Sequence, residues 1–258
     1  MRLSSSSLVA TFLLSMAGST VAFQPTSFLG QTATSKNLMT QTSPSRKSSL
    51  SMVTTGPLNC RIAGIGSAAP KTIITNADLE SVVETSDEWI STRTGISQRR
   101  VLLQPDENND ETLKTLASNA AKNALDMSTL SPEEIDLVLV ATSTPDDMFG
   151  DATSVAASLG CVNAVAFDLT AACSGFLFGS VTAGQFLENK GNSYKNAIVV
   201  GADALSRWID WEDRNSCILF GDGAGAVVLS ANDEPGNAGI LGSSAHSNGL
   251  KYDKLMCG

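Results

Sequence analysis

The chain has 258 residues, 42% of them hydrophobic and 17% charged, enough to bury a sizeable core in one large domain or two small ones. A formal net charge of −9 provides no basic stripe to neutralise phosphates, which argues against binding to nucleic acid. The five cysteines form no C-x-x-C pair and stand at irregular spacings, a pattern that fits neither a disulfide framework nor a zinc site and suits a reducing compartment.

In chain order, the first 53 residues differ from the rest. No Asp or Glu precedes Asp78, and Arg2 is followed by the apolar run LVATFLLSMAG and the small-residue stretch STVA. That is the layout of a signal peptide, too short for a stable membrane span. From Gln24 to Val53 the chain is rich in Ser and Thr, with Lys36, Arg46 and Lys47 as its charges, as in a transit peptide. The two pieces in series resemble the bipartite leader of algae with complex plastids, whose junction carries an Ala-Phe pair like Ala22-Phe23. This implies delivery to the plastid (chloroplast) stroma; a disordered, Ser-rich tail is the alternative. Removing the four leader cations leaves 13 basic against 26 acidic residues in 54–258, a net of −13. No second apolar run of about 18 residues follows, so no membrane association is expected.

The folded part is expected to start near Thr54. CRIAGIGSA, 60–68, reads as a strand. TNADLE and TSDEWI each place a Thr three residues before an acid, the signature of a capping box. DETLKTLASNAAKNALDM is an amphipathic helix with Leu113, Leu116, Ala117, Ala120, Ala121, Ala124 and Leu125 on one stripe. SPEE places Ser131 as an N-cap with Pro132 at the first helical position. DLVLVATST, 136–144, is an apolar run of strand length, suited to burial on both faces. A small-residue helix around 151–159, the strand AVAFDL and an uncharged helix from Cys173 follow. NAIVVGADAL is another buried strand, and CILFGDGAGAVVLSA reads as two strands joined by a Gly-rich turn. Strands alternating with helices predict an α/β fold with a largely parallel sheet.

Cys173 falls between a strand-like run and a helix. Unpaired N–H groups and the helix dipole favour an anion there, which lowers a thiol's pKa and makes it a better nucleophile. The same N–H groups suit an oxyanion on a carbonyl attacked by that sulfur. The competing reading is a buried structural cysteine.

DLTAACSGF resembles the active-site segment of β-ketoacyl-acyl-carrier-protein synthase III, a family of the thiolase superfamily. TNADLE, TSDEWISTRTGISQRR, DLVLVATST, VVGADALSR and ILFGDGAGAVVL resemble the same family in the same order, from Asn59 to Lys254. The resemblance implies a thiolase-like α/β fold, here the N-terminal half of a duplicated αβαβα architecture spanning 54–258. It implies an acyltransferase that begins fatty-acid synthesis by condensing a short acyl-CoA with malonyl-ACP, through a thioester on Cys173. CoA enters as substrate, and no other cofactor is implied. Trp89 and Arg214 match the pair that sandwiches the CoA adenine. Thr85 and Arg93 match neighbours of the nucleotide, with Arg93 pairing phosphate. Phe149 matches a residue that reaches the partner's acyl pocket in a homodimer. Read without the resemblance, Trp89 is a core aromatic and Arg214 a surface ion pair.

The family's enolate-stabilising His and Asn, its second oxyanion-hole N–H and its carrier-protein docking residues lie in the second half of the duplicated fold. His246, the one histidine, stands in SSAHSNGLKY, ahead of the position of that His. With Asn248 and Cys173 it is not expected to form a catalytic set. A chain ending at KLMCG is expected to lack the closing half, and its uncharged helix to lack part of its cover. A non-catalytic acyl-CoA-binding or subunit-interaction module derived from the enzyme is the alternative function.

Overall fold

The computed structural model describes residues 53–102, 110–188, 191, 193–232 and 239–249. The leader elements of the first 52 residues lie outside the described residues. The elements run in order β1 (Val53–Thr55), β2 (Cys60–Ala68), β3 (Ile73–Thr75), α1 (Asn76–Leu79), α2 (Asp87–Thr94), β4 (Gln98–Arg100), α3 (Leu113–Ser128), β5 (Leu137–Ala141), α4 (Ala152–Leu159), β6 (Val165–Leu169), α5 (Gly175–Glu188), β7 (Asn196–Ala204), β8 (Asp222–Ala231) and β9 (Ser243–Ala245).

Alternation along β5 organises the core. All five of its residues are buried, and successive side chains point to opposite faces. Val138 and Val140 join the stripe of α3, together with Val155 of α4 and Ile198 and Val200 of β7. Leu137 and Leu139 pack on the other side with Ala183 and Leu187 of α5 and Val199 of β7. Every one of the seven stripe residues predicted for α3 is buried. A five-stranded sheet in the order β2-β8-β7-β5-β6 is thus covered by α3 and α4 on one face and by α5 on the other. Close approach of α5 needs small residues: a Cβ on Gly179 would lie 3.0 Å from Val199 Cγ1.

The sheet is mixed rather than largely parallel. β5 pairs in parallel with β6 and β7, whereas β8 is antiparallel to both β7 and β2. The physical reason is the connection. β5–α4–β6 and β6–α5–β7 are helical crossovers, which keep the three strands parallel with β5 in the middle, but β7 turns back into β8 without one. The Gly-rich stretch is likewise a single strand, β8, preceded by turns over 214–219. Cys217 and Ile218 are held in those turns by burial with Leu79 and Ile90, so the apolar run before GDG packs without joining a sheet.

Thr75 and Asp78 form the predicted capping box at α1. At α2 the cap lies one residue later than the TSDE pattern suggests. Ser86 Oγ accepts from the Trp89 N–H, which leaves Thr85 Oγ1 buried without a hydrogen-bond partner.

Candidate active site

The chain leaves β5 toward β6, and leaves β7 toward β8 on the opposite side. A crevice therefore opens between the carboxyl ends of β5 and β7, where an open α/β sheet places its ligands. Cys173 sits at this point. It lies in a 3₁₀ turn, Ala172–Ser174, that leads directly into α5. Its side chain is exposed, in contrast to the buried Cys60, Cys161 and Cys217. A cleft of about 240 Å³ is lined by Cys173 and Phe176 from the start of α5, Ala141 from β5, Gly201 and Asp203 from β7, and Gly221. The 3₁₀ turn runs straight into α5, the Ser174 N–H donating to the Ala171 carbonyl and the Gly175 N–H to the Ala172 carbonyl, and the positive dipole end of α5 borders that cleft. Ala172 holds φ 46°, a left-handed conformation that costs a non-glycine residue on the order of 1 kcal/mol. It redirects the backbone immediately ahead of the thiol.

The other thiols differ in environment as well as in access. Burial pushes Cys161 up to about 11. Burial also raises Cys60, helped by the Glu188 charge, and raises Cys217, helped by Asp213. Such thiols remain protonated, and hence poorly nucleophilic, at neutral pH.

The residues matched to a nucleotide site converge although they come from distant elements. Trp89, on α2, packs against the cluster of Leu79, Ile90, Cys217 and Ile218. Two guanidinium carbons lie over its ring, Arg93 at 4.3 Å and Arg214 at 4.5 Å from the centroid. Arg214 Nη1 also donates to the Glu84 carbonyl at 3.2 Å, beside Thr85. Trp89 is thus a partly buried stacking platform rather than a core aromatic, and Arg214 contacts that platform in place of a surface carboxylate.

Phe149 stands apart from both groups. It is 90% exposed and lines a separate cavity with Phe167 and Asp168 at β6, the edge strand of the sheet. His246 is exposed and lines a third cavity, of about 550 Å³, with Ser174, Phe176 and Leu177. Cys173 does not line it, in keeping with the exclusion of a Cys-His-Asn set.

Two features of the site were not read from the sequence. Asp203 Oδ1 accepts from the Ser143 N–H at 2.8 Å and from the hydroxyls of Thr142 and Thr144 at 3.3 and 3.4 Å. It thereby ties the exit loop of β5 to β7 at the mouth of the thiol cleft. Leu219 and Phe220, although apolar, are 48% and 39% exposed. They occupy the strap between Arg214 and Gly221, and so link the stacking pair to the cleft wall. An apolar pair just before GDG was the available signal, but the strand assignment concealed it.

The chain is matched over residues 167–249 by the family described as 3-oxoacyl-[acyl-carrier-protein (ACP)] synthase III. It is 54% identical over 194 residues to the beta-ketoacyl-[acyl-carrier-protein] synthase III of Acaryochloris marina, covering 75% of this chain and 55% of that protein. The same-named protein of Trichormus variabilis is 53% identical over 198 residues, 77% of this chain and 57% of its own length. This chain is homologous to β-ketoacyl-ACP synthase III over a partial span. The solved synthase III of Aquifex aeolicus superposes with a TM-score of 0.62 at 47% identity, covering 68% of this chain and 55% of that one. The synthase III of Pseudomonas aeruginosa gives 0.60 at 41% identity, with 68% and 51% covered. The fold is accordingly the mixed α/β thiolase-like one, and the chain spans about half the length of the synthase III relatives it matches.

Proposed function

We propose that this chain carries the acyl-accepting site of a β-ketoacyl-ACP synthase III, in which Cys173 takes a short acyl group from acyl-CoA. The observation that carries this reading is the placement of the exposed Cys173 thiol in the cleft between β5 and β7, at the N-terminal turn of α5. The Cys173 sulfur attacks the thioester carbonyl. Its new S–C bond replaces the carbonyl's bond to the CoA sulfur, and the thiol proton ends on the departing CoA. The positive end of the α5 dipole stabilises the oxyanion as it forms.

Trp89 and Arg214 take the adenine. Their present separation of 4.5 Å is too small for an intervening ring, which needs roughly 3.5 Å on each side. Entry of adenine therefore displaces Arg214 from the indole. Arg93, on the same helix, pairs with phosphate in this reading, and the unpartnered Thr85 hydroxyl gains a partner from the nucleotide. Malonyl-ACP is the second substrate. Decarboxylative condensation needs a His and an Asn donating to the enolate oxygen, and among the described residues no histidine lines the Cys173 cleft. Acyl acceptance is thus the step assigned to these residues. Phe149, beside the edge strand, is assigned to a homodimer contact. The acid-free, Ser-rich first 53 residues support import into a plastid, a proposal that a fluorescent-protein fusion of that segment tests by where it accumulates.

The deciding experiment incubates the purified chain with acetyl-CoA and examines its peptides by mass spectrometry. The expected result is one acetyl group on the Cys173 peptide, absent from Cys173→Ala. CoA binding without transfer would leave a binding module, and neither binding nor transfer would sink the proposal.

A further inference from the structure

We infer that Arg99 is the positioning residue of the nucleotide clamp: it locks the strap bearing Arg214 to the helix bearing Trp89. This inference rests on the CoA reading above. Arg99 lies on β4, is 5% exposed, and makes no ion pair among the described residues. Its Nη1 donates to Asn76 Oδ1 at 3.0 Å and its Nη2 to the Ile218 carbonyl at 2.9 Å. Its Nε is buried without a partner. Burying a charge on such terms is costly, and an apolar side chain of similar volume would fill the space without that cost. A Lys cannot reproduce the contact either, because only a flat fork reaches two acceptors at fixed separation.

The two acceptors belong to the two halves of the clamp. Asn76, 1% exposed, donates through Nδ2 to Asp87 Oδ1 at 2.7 Å, to Ser91 Oγ at 3.2 Å and to the Ile96 carbonyl at 2.8 Å. It therefore grips α2, which carries Trp89, at its start, at its middle and just beyond its end. Ile218 belongs to the strap from Arg214 to Gly221. That strap approaches β4 a second time at Gly221, where a Cβ would lie 3.0 Å from the Arg100 carbonyl and 3.2 Å from Arg99 Cβ. The route from Trp89 to Arg214 thus runs through α2, Asn76, Arg99 and the Ile218 carbonyl. When an adenine parts Arg214 from Trp89, the base of the strap stays fixed and keeps Arg214 within stacking distance of the adenine's other face, so that little ordering is left to be done on binding.

The test follows acylation of Cys173 in the full chain by two donors, acetyl-CoA and S-acetyl-N-acetylcysteamine, which lacks the nucleotide. Losing one charge-assisted hydrogen bond predicts that Arg99→Lys raises the half-saturating acetyl-CoA concentration about tenfold. Maximal acylation and the rate with the nucleotide-free donor should stay within about twofold of the unsubstituted chain. Combining Arg99→Lys with Arg214→Ala should add little to Arg214→Ala alone, because both act on one contact. An unchanged half-saturation, an equal loss with both donors, or full additivity would overturn the inference. If Arg99→Lys does not fold, Asn76→Ser removes the same Oδ1 acceptor and must shift half-saturation in the same direction. If the unsubstituted chain does not prefer acetyl-CoA to the nucleotide-free donor, the CoA reading fails. Hydrogen exchange then decides the Arg99 claim by itself. The amides of Ser216 and Cys217, which donate to the Asp213 carbonyl, and of Leu219, which donates to the Ser216 carbonyl, must exchange faster in Arg99→Lys while those of α3 keep their protection; unchanged exchange in the strap overturns the claim.

Discussion

The guanidinium of Arg214 rests on the indole of Trp89, 4.5 Å from the ring centroid, although one comes from a turn before β8 and the other from α2. The contact is a cation–π pair, and in the proposed CoA site it is the pair that an adenine opens. Trp89→Ala removes one stacking face, a change worth about 1–3 kcal/mol. CoA affinity measured by calorimetry should therefore fall by a factor of about 10 to 100, while the melting temperature changes by only a few degrees.

Access and burial together rank the thiols. Cys173 is exposed, whereas Cys60, Cys161 and Cys217 are buried and raised above their ordinary value. Limited iodoacetamide at neutral pH should label Cys173 first among these four, as peptide mass spectrometry will show. Raising the pH toward 10 should not bring Cys161, pushed up to about 11, level with it. Equal labelling would contradict the site assignment.

Close contact between α3 and β2 depends on the absence of a side chain. A Cβ on Gly66 would lie 2.3 Å from the Ala120 carbonyl oxygen and 2.4 Å from the Ala124 nitrogen, both backbone atoms that cannot rotate away. Gly66→Ala should cost about 1–3 kcal/mol by overpacking, read as a lower urea midpoint with an unchanged slope.

Asp146 supplies an acid-sensitive contribution. Burial pushes its carboxyl up, but the Lys114 N–H and the Arg207 guanidinium, the latter 2.7 Å away, outweigh burial and hold it below its ordinary value. A carboxyl lowered in the fold contributes stability above its unfolded value, and loses that contribution as pH falls through the folded one. Asp146→Asn should therefore melt lower than the unsubstituted chain at pH 7. The gap should narrow below about pH 4, the ordinary carboxylate value. A gap independent of pH would show that packing, not charge, is responsible.

The outer face of α5 is apolar and open. Leu177 is 65% exposed beside a cavity of about 550 Å³ lined by Phe176, Val181, Val227 and Ile240. A surface of this kind binds hydrophobic dyes. ANS should fluoresce with the folded chain, and Leu177→Glu should reduce the signal without changing the circular dichroism spectrum.

Much of this was legible in the sequence where the determining interactions are local. The α3 stripe, the doubly buried β5, the Thr75 box and the position of Cys173 at a strand-to-helix junction follow from side-chain period and capping chemistry within a few residues. Arg99 was not legible, because QRR reads as exposed basic residues. Only the approach of Asn76 and Ile218, from segments far apart in the chain, makes Arg99 a buried bridge. The strand assigned to the turns before GDG failed for the same reason: an apolar run does not reveal whether its backbone finds a sheet partner or its side chains find a cluster.

By itself the sequence determined that α3 is a helix with one apolar stripe and that β5 is a strand buried on both faces, since such patterns depend on neighbours three or four positions away in a helix and two in a strand. Tertiary structure alone decided that β8 runs antiparallel in a partly parallel sheet, that the crevice opens between β5 and β7, and that Arg99 meets Asn76 and Ile218. Those outcomes depend on which distant segments pair, and pairing is set by chain connectivity and shared burial, for which local periodicity carries no signal.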